Sequence, residues 1–168
     1  MMAFSTLRHP EEGAKRPSRR THAADPAILS HTLKLRVYYE DTDAAGMVYH
    51  ANYLKFAERG RSEMLRSLGF GHRRLGQESG IGFAVRRCAV DYLAPARLED
   101  ALTVDTRLAG IGAATLTVHQ QIRRDGELLV DLDILVACIG RDGRPRRLPS
   151  ALRAVLTDDR PAAGPRAP

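Results

Sequence analysis

Tryptophan is absent from this chain, and tyrosine and phenylalanine contribute only five and four of its 168 residues. So sparse a supply of rings leaves little from which to build the base-stacking platforms of a single-stranded nucleic-acid binder. Cysteine is equally scarce. Cys88 and Cys138 are too few for a disulfide framework and lack metal-ligand spacing, so they read as two reduced core residues of an intracellular protein. No apolar run approaches the roughly 18 residues of a membrane-crossing helix. The first thirty residues mix Arg8, His9, Glu11, Glu12, Lys15, Arg16, Arg19 and Arg20 without the apolar stretch of a secretory signal, and this points to a cytoplasmic protein. The catalytic signatures Gly-x-Ser-x-Gly, His-Glu-x-x-His and the P-loop are missing, and Gly110-Ile111-Gly112 lacks the third glycine of a dinucleotide site. The histidines outside residue 50 are scattered and form no metal ligand set.

What is present is a chain with 43% hydrophobic and 27% charged residues, a size and balance that suit one domain burying roughly two thirds of its unfolded surface. Its net charge of +6 is unevenly placed. Residues 1–30 hold five basic and three acidic side chains, residues 141–168 hold seven and three, and residues 31–140 hold fourteen of each. A nucleic-acid-binding body is expected to carry its basic stripe on the folded part, so no nucleic-acid partner is expected here. Residues 1–30, with Pro10, Pro17 and Pro26, read as a flexible basic leader, and residues 157–168 as a disordered tail.

Between these ends the periodicity changes several times. Leu33, Leu35, Val37 and Tyr39 alternate with polar residues, which predicts a half-buried strand over 32–39. Asp41, Asp43 and Gly46 then interrupt the pattern as a loop. A helix is predicted over 52–68, with Leu54, Ala57, Met64, Leu65 and Leu68 as its apolar positions and Gly69 as its stop. Gly60 inside that helix costs about 1 kcal/mol relative to alanine, a cost easier to understand if the helix presses closely on a sheet there. After a short polar stretch at 71–79 come four extended segments, over 83–93, 101–108, 114–123 and 127–139, the last two joined by the hairpin signal Asp125-Gly126. A terminal helix is predicted over 150–156. One strand, one long helix and a meander of about four strands make an α+β layout, with the helix burying its apolar face on an antiparallel sheet.

The densest chemical signal lies in residues 38–63. Asp43 precedes a helix, Gly46 permits a tight turn just after it, and His50 falls at or just before the helix N-terminus. Helix N-termini present unpaired N–H groups and a positive dipole end, which suit an anion or a developing oxyanion. A carboxylate, an imidazole and donor amides so close in sequence can polarise a carbonyl and direct a nucleophile at it. Spacing alone leaves alternatives open. An aspartate in such a loop is most often a turn or cap residue, His50 fits a surface or capping role, and Tyr38 and Tyr49 fit amphipathic edge positions.

The string as a whole resembles the 4-hydroxybenzoyl-CoA thioesterase family of hotdog-fold proteins, most of all its Tol-Pal-associated branch, the YbgC-type acyl-CoA thioesterases. The resemblance is carried by Tyr39, Glu40, Asp41, Thr42, Asp43, Gly46, Val48, Tyr49, His50 and Tyr53, followed by Phe56, Glu58, Arg59, Arg61, Glu63, Met64 and Leu65. The stretch 91–98 adds to it, as does the apolar strand over 128–138. It covers about residues 31–156, the expected hotdog domain.

This resemblance implies one long central helix packed on a curved antiparallel sheet of about five strands, in a homodimer or homotetramer with active sites at the dimer interface. It implies hydrolysis of short-chain or aromatic acyl-CoA thioesters with no cofactor or metal, coenzyme A being part of the substrate. Asp43 matches the catalytic aspartate, His50 a position active through its backbone amide and side chain, and Tyr39, Gly46, Val48 and Tyr49 the substrate-binding surroundings. The coenzyme A phosphates call for arginine, and Arg86, Arg87, Arg123, Arg124, Arg144, Arg146 and Arg147 are candidates. With lysine only at positions 15, 34 and 55, most of these arginines are expected to be ordinary solvated surface. Two alternatives share the fold. A hydratase or dehydratase is expected to carry a different motif with its histidine elsewhere. A scaffold of the envelope lipid machinery would keep an acyl-CoA pocket with little turnover, with acyl carrier protein or phospholipid-synthesis enzymes as candidate partners.

Overall fold

The computed structural model describes residues 29–157. The expected leader, apart from Leu29 and Ser30, and the expected tail, apart from Thr157, lie outside the described residues. The elements in chain order are β1 (Ser30–Arg36), a 3-10 turn (Tyr39–Asp41), α1 (His50–Ser67), α2 (His72–Glu78), β2 (Ile81–Tyr92), β3 (Ala101–Ile111), β4 (Thr115–Arg124), β5 (Glu127–Gly140) and α3 (Ser150–Thr157). The five strands form one sheet in the order β1-β3-β4-β5-β2, every pairing antiparallel. The layout is α+β, as the periodicity predicts, with three helices among the described residues. No helix there is long and apolar enough to cross a membrane.

Alternation places one face of the sheet inward. Leu102, Val104, Thr106 and Leu108 of β3 and Leu116, Val118, Gln120 and Ile122 of β4 are buried at every second position. Irregular pairing at Leu108/Gly110, Ile122/Arg123 and Val85/Arg87 bends strands that would otherwise run flat. Asp125 (φ 48°) and Gly126 (φ 87°) close the β4–β5 hairpin, as the sequence pair demands.

Helix α1 packs on β1, β3 and β4. Its buried stripe is Asn52, Tyr53, Phe56, Ala57, Gly60, Arg61, Met64 and Leu65, the three-and-four spacing of a helix with one wet face. Leu54, expected inside, is 40% exposed because it sits off that stripe. Cys88 is a second correction to the sequence reading. Cys138 is buried in β5, but Cys88 is exposed because β2 lies at the sheet's edge. The first strand also ends three residues early, at Arg36. Asp41 Oδ2 accepts the Tyr38 N–H at 2.9 Å and curls the chain into the 3-10 turn.

At the middle of α1 the backbone nearly touches the sheet. A Cβ on Gly60 would lie 2.9 Å from Thr106 Oγ1, 2.9 Å from Val104 Cγ1 and 3.0 Å from Gln120 Nε2. The fully buried Gln120 uses this closeness. Its Nε2 donates to the Ala57 carbonyl at 2.9 Å and to Thr106 Oγ1 at 2.7 Å, and its Oε1 accepts from Arg61 Nη1 at 2.6 Å. Arg61 also pairs with Glu58. Among the described residues no buried side-chain nitrogen or oxygen lacks a partner, so this polar seat avoids the desolvation penalty of unpaired groups. In an unconstrained helix Gly→Ala gains stability. Here Gly60→Ala is expected to cost about 1–3 kcal/mol by overpacking, and urea denaturation of the two proteins checks it.

Candidate active site

The site is assembled from two loops and the start of α1. Residues 42–48 form a miniature hairpin closed by a Thr42–Val48 bridge. The Asp43 N–H donates to the Met47 carbonyl at 2.9 Å, and the Gly46 N–H to the Asp43 carbonyl at 3.0 Å. Gly46 takes φ +71°, a conformation that disfavours a side chain. The Asp43 carboxylate accepts the Ala45 N–H through Oδ1 at 2.8 Å, the aspartate-turn geometry expected of such a loop. Its Oδ2 has no partner among the described residues.

The second loop, residues 94–100, supports the first. Ala96 is fully buried; its carbonyl accepts the Val48 N–H at 2.9 Å, and its own N–H donates to the Tyr53 hydroxyl at 2.8 Å. A Met47–Arg97 bridge adds a second tie. Asp100 anchors the loop from beneath, accepting the Arg97 N–H and Arg124 Nη1, both at 2.8 Å, through Oδ2. Burial acts to raise the Asp100 pKa, but the hydrogen bonds from Arg124 and the Arg97 N–H outweigh it and hold the carboxyl below its ordinary value.

Helix α1 enters from the same loop. The buried Asp41 carbonyl accepts the Tyr49 N–H at 2.9 Å and Asn52 Nδ2 at 2.9 Å, which fixes where the helix begins. No side chain caps that start, and the Asn52 N–H is taken by the Tyr49 carbonyl. The His50 N–H has no acceptor among the described residues. The His50 carbonyl accepts the Tyr92 hydroxyl at 3.1 Å, and the His50 ring lies edge-on to Tyr92, with centroids 6.4 Å apart. Burial pushes the Tyr53 and Tyr92 phenols up, so both stay protonated at neutral pH.

These pieces enclose a cavity of about 330 Å³ lined by Asp43, Val48, His50, Tyr53, Tyr92 and the 93–95 segment, with Met47 at its side. Asp43, Val48 and His50, three of the six site residues expected from sequence, meet there. Gly46 stands outside the lining as the turn that shapes the loop. Tyr49 also lies outside it, 47% exposed, with its ring 4.3 Å from that of His50. Tyr39 is 83% exposed and away from the lining. Tyr53, Tyr92 and the loop wall were not singled out as site residues. The signal for them was present in the 91–98 stretch, but only pairing across the sheet brings that stretch beside the helix. Among the described residues no cluster of His, Cys, Asp and Glu has the makings of a metal site.

An uncapped helix start facing a carboxylate across a partly aromatic cavity, on a five-stranded antiparallel sheet, defines an α+β protein of the hotdog type. A family model described as the thioesterase-like superfamily matches residues 37–156, and the chain belongs to that family. It is similar to the acyl-CoA thioester hydrolase YbgC of Escherichia coli O6:H1, with 43% identity over 122 residues covering 71% of this chain and 90% of the relative. The acyl-CoA thioesterase YbgC of Haemophilus influenzae is 44% identical over 105 residues, covering 62% of this chain and 77% of the relative. A crystal structure of a probable thioesterase from Bartonella henselae matches with a TM-score of 0.69 and 40% identity, over 71% of this chain and 99% of that one.

Asp100 gives this site a pH signature. Its folded pKa is depressed, so its contribution to stability is complete above the ordinary aspartate value near about 4 and is lost as pH falls through the depressed value. Asp100→Asn is therefore expected to lower the thermal midpoint at pH 7, with the gap to the unmodified protein closing below about pH 4. Thermal melts at pH 7 and pH 3 measure both.

Proposed function

We propose that this chain is an acyl-CoA thioester hydrolase, and the observation that carries the reading is the meeting of Asp43 with the open N-terminus of α1 in one cavity. The thioester carbonyl sits with its oxygen toward the His50 N–H and the positive end of the α1 dipole, where developing negative charge is stabilised. The free Oδ2 of Asp43 either attacks the carbonyl carbon or takes a proton from an attacking water. The tetrahedral species then collapses, breaking the C–S bond. The thiolate of coenzyme A leaves and takes up a proton. After attack by Asp43, water then hydrolyses the mixed anhydride left on the carboxylate; after attack by water, the free acid is released directly. Two YbgC relatives above 40% identity support this reading. The rings of Tyr53 and Tyr92 suit a short or aromatic acyl group. The same reading places the enzyme in the cytoplasm, acting on soluble acyl-CoA without cofactor or metal, and extends to a Tol-Pal setting and to acyl carrier protein or phospholipid-synthesis enzymes as partners.

The reading includes self-association. Strand β2 is 12 residues long and, among the described residues, pairs only with β5, so that no described strand covers its outer edge while Val85, Tyr92 and Leu93 stand exposed. An open edge of that length is a template for pairing with another chain. A second copy of β2 running antiparallel satisfies it, and α1 becomes the central helix of each half of a homodimer or homotetramer.

Free-thiol release from a panel of acyl-CoAs tests the chemistry. Asp43→Asn is expected to keep the fold and lose turnover, and a folded variant that keeps most of its activity overturns the assignment. His50→Ala keeps the backbone N–H and removes only the imidazole, and it is expected to lower kcat by about tenfold or more if the ring assists proton transfer; unchanged kinetics would leave only its amide in play. Acyl-CoA binding without release of thiol favours the scaffold alternative instead. Light scattering on the purified protein is expected to give two or four copies, and a monomer at micromolar concentration overturns the pairing of β2.

A further inference from the structure

A helix start leaves its first N–H groups without partners, and a side-chain oxygen or an acidic residue in the first turn usually meets them. The start of α1 has neither: among the described residues no side chain caps it, and its first turn holds no acid. Helix ends of that kind fray unless another contact holds them. The holding contact comes from across the sheet. Helix α1 rests on β1, β3 and β4, whereas Tyr92 ends β2 at the far edge, paired with Val130. The Tyr92 hydroxyl donates to the His50 carbonyl at 3.1 Å. Its ring stands edge-on to those of His50 and Tyr53, with centroids 6.4 and 5.9 Å away. Just past it, the Leu93 and Ala94 N–H groups both donate to the Leu129 carbonyl, at 2.8 and 3.1 Å. The phenol is therefore mounted on anchored backbone, and burial keeps it protonated, a donor at neutral pH. The His50 N–H thus lies between two anchors. On one side the Tyr49 N–H donates to the Asp41 carbonyl at 2.9 Å, and on the other Tyr92 holds the His50 carbonyl. Neither anchor occupies the His50 N–H, whereas a capping side chain would accept from the amides of that same turn.

We infer that Tyr92 is a positioning residue for thioester hydrolysis: its hydroxyl holds the first turn of α1 by a carbonyl, which keeps the His50 N–H aimed yet free for the substrate oxygen. The inference rests on the hydrolase reading and adds the group that keeps its oxyanion donor aligned. Such a donor works to the extent that its direction is fixed before charge develops. A first turn that frays presents the amide correctly for only part of the time. The misalignment costs most where the negative charge is largest, in the transition state, so the loss falls on kcat rather than on KM. The ring has a separate task. It walls the cavity together with Asp43, His50 and Tyr53, so losing the ring weakens the hold on the acyl group, whereas losing the hydroxyl alone does not.

Two substitutions separate hydroxyl from ring. Tyr92→Phe is expected to lower kcat for acyl-CoA hydrolysis by about tenfold, with KM changed by less than about twofold. Tyr92→Leu, which removes the ring as well, is expected to raise KM by about fivefold in addition. Amide hydrogen exchange followed by NMR on the substrate-free proteins gives a readout independent of turnover. In Tyr92→Phe, exchange of the amides of residues 52–55 is expected to quicken by about tenfold, the loss of one hydrogen bond, while residues 61–65 of the same helix keep their protection. An unchanged kcat in Tyr92→Phe overturns the inference, and so does a rise in KM with kcat intact. Equal exchange in the two proteins overturns the tie itself. Should the unmodified protein release no thiol, the hydrolase reading falls, and exchange still decides whether Tyr92 holds the helix start: faster exchange upholds the tie and equal exchange removes it.

Discussion

The contact between Gly60 and Gln120 governs the placement of everything else in this molecule. Only a residue without a side chain lets Gln120 reach the helix backbone, and only a glutamine there satisfies the Ala57 carbonyl, Thr106 and Arg61 together. The bond is directional, so α1 is held at one height and one rotation on the sheet, where apolar packing alone tolerates sliding. Gly60 lies ten residues from His50, about 15 Å along the helix axis at 1.5 Å per residue. A tilt of the helix at its seat would displace the His50 amide relative to Asp43. The core polar cluster is in this sense part of the site, although it touches none of it.

The second constraint is the interlock between the 42–48 hairpin and the 94–100 loop. Loops exchange backbone hydrogen bonds with water unless another segment offers partners. Here Ala96 offers both of its polar groups, one to Val48 and one to Tyr53, and the Asp41 carbonyl accepts from both Tyr49 and Asn52. The two aspartates of Glu-Asp-Thr-Asp therefore divide their work. Asp41, 3% exposed, gives its carboxylate to the 3-10 turn and its carbonyl to the start of α1, and Asp43 lines the cavity. Identical residue types two positions apart end in opposite environments because Asp41 closes the 3-10 turn while Asp43 opens the 42–48 hairpin.

Much of this was legible in the sequence, for reasons that differ by element. The β4–β5 hairpin and the helix could be read because their signals are local: Asp125-Gly126 fixes a turn, and Gly60 in a helix asks for a close neighbour. Asp43 and His50 could be paired because eight residues of loop and helix start carry both. Tyr92 could not be tied to His50 by any local rule, since 42 residues separate them and register alone joins them. The exposure of Cys88 was equally hidden, because nothing in an apolar-rich segment declares that it will form the sheet's edge. The inward glutamine was missed for the same reason that makes it informative: a polar residue on a buried face breaks the alternation rule, and its partner Gly60 lies 60 residues earlier.

The openness of the Asp43 cavity bears on its chemistry. In water a carboxylate and an amide dipole act weakly on a carbonyl, because the high dielectric screens both. The same groups gain strength when water is excluded and their positions are fixed beforehand. A single chain fixes the positions through the Ala96 interlock but leaves Asp43 and His50 exposed. Closing β2 against a second copy would supply the missing wall at the Tyr92 end, where Leu93 stands 55% exposed, and would satisfy the open strand edge in the same step. On the proposed pairing, association and catalysis would draw on one surface, and the long strand edge, a hazard in an isolated sheet, would become the means by which the site loses its water.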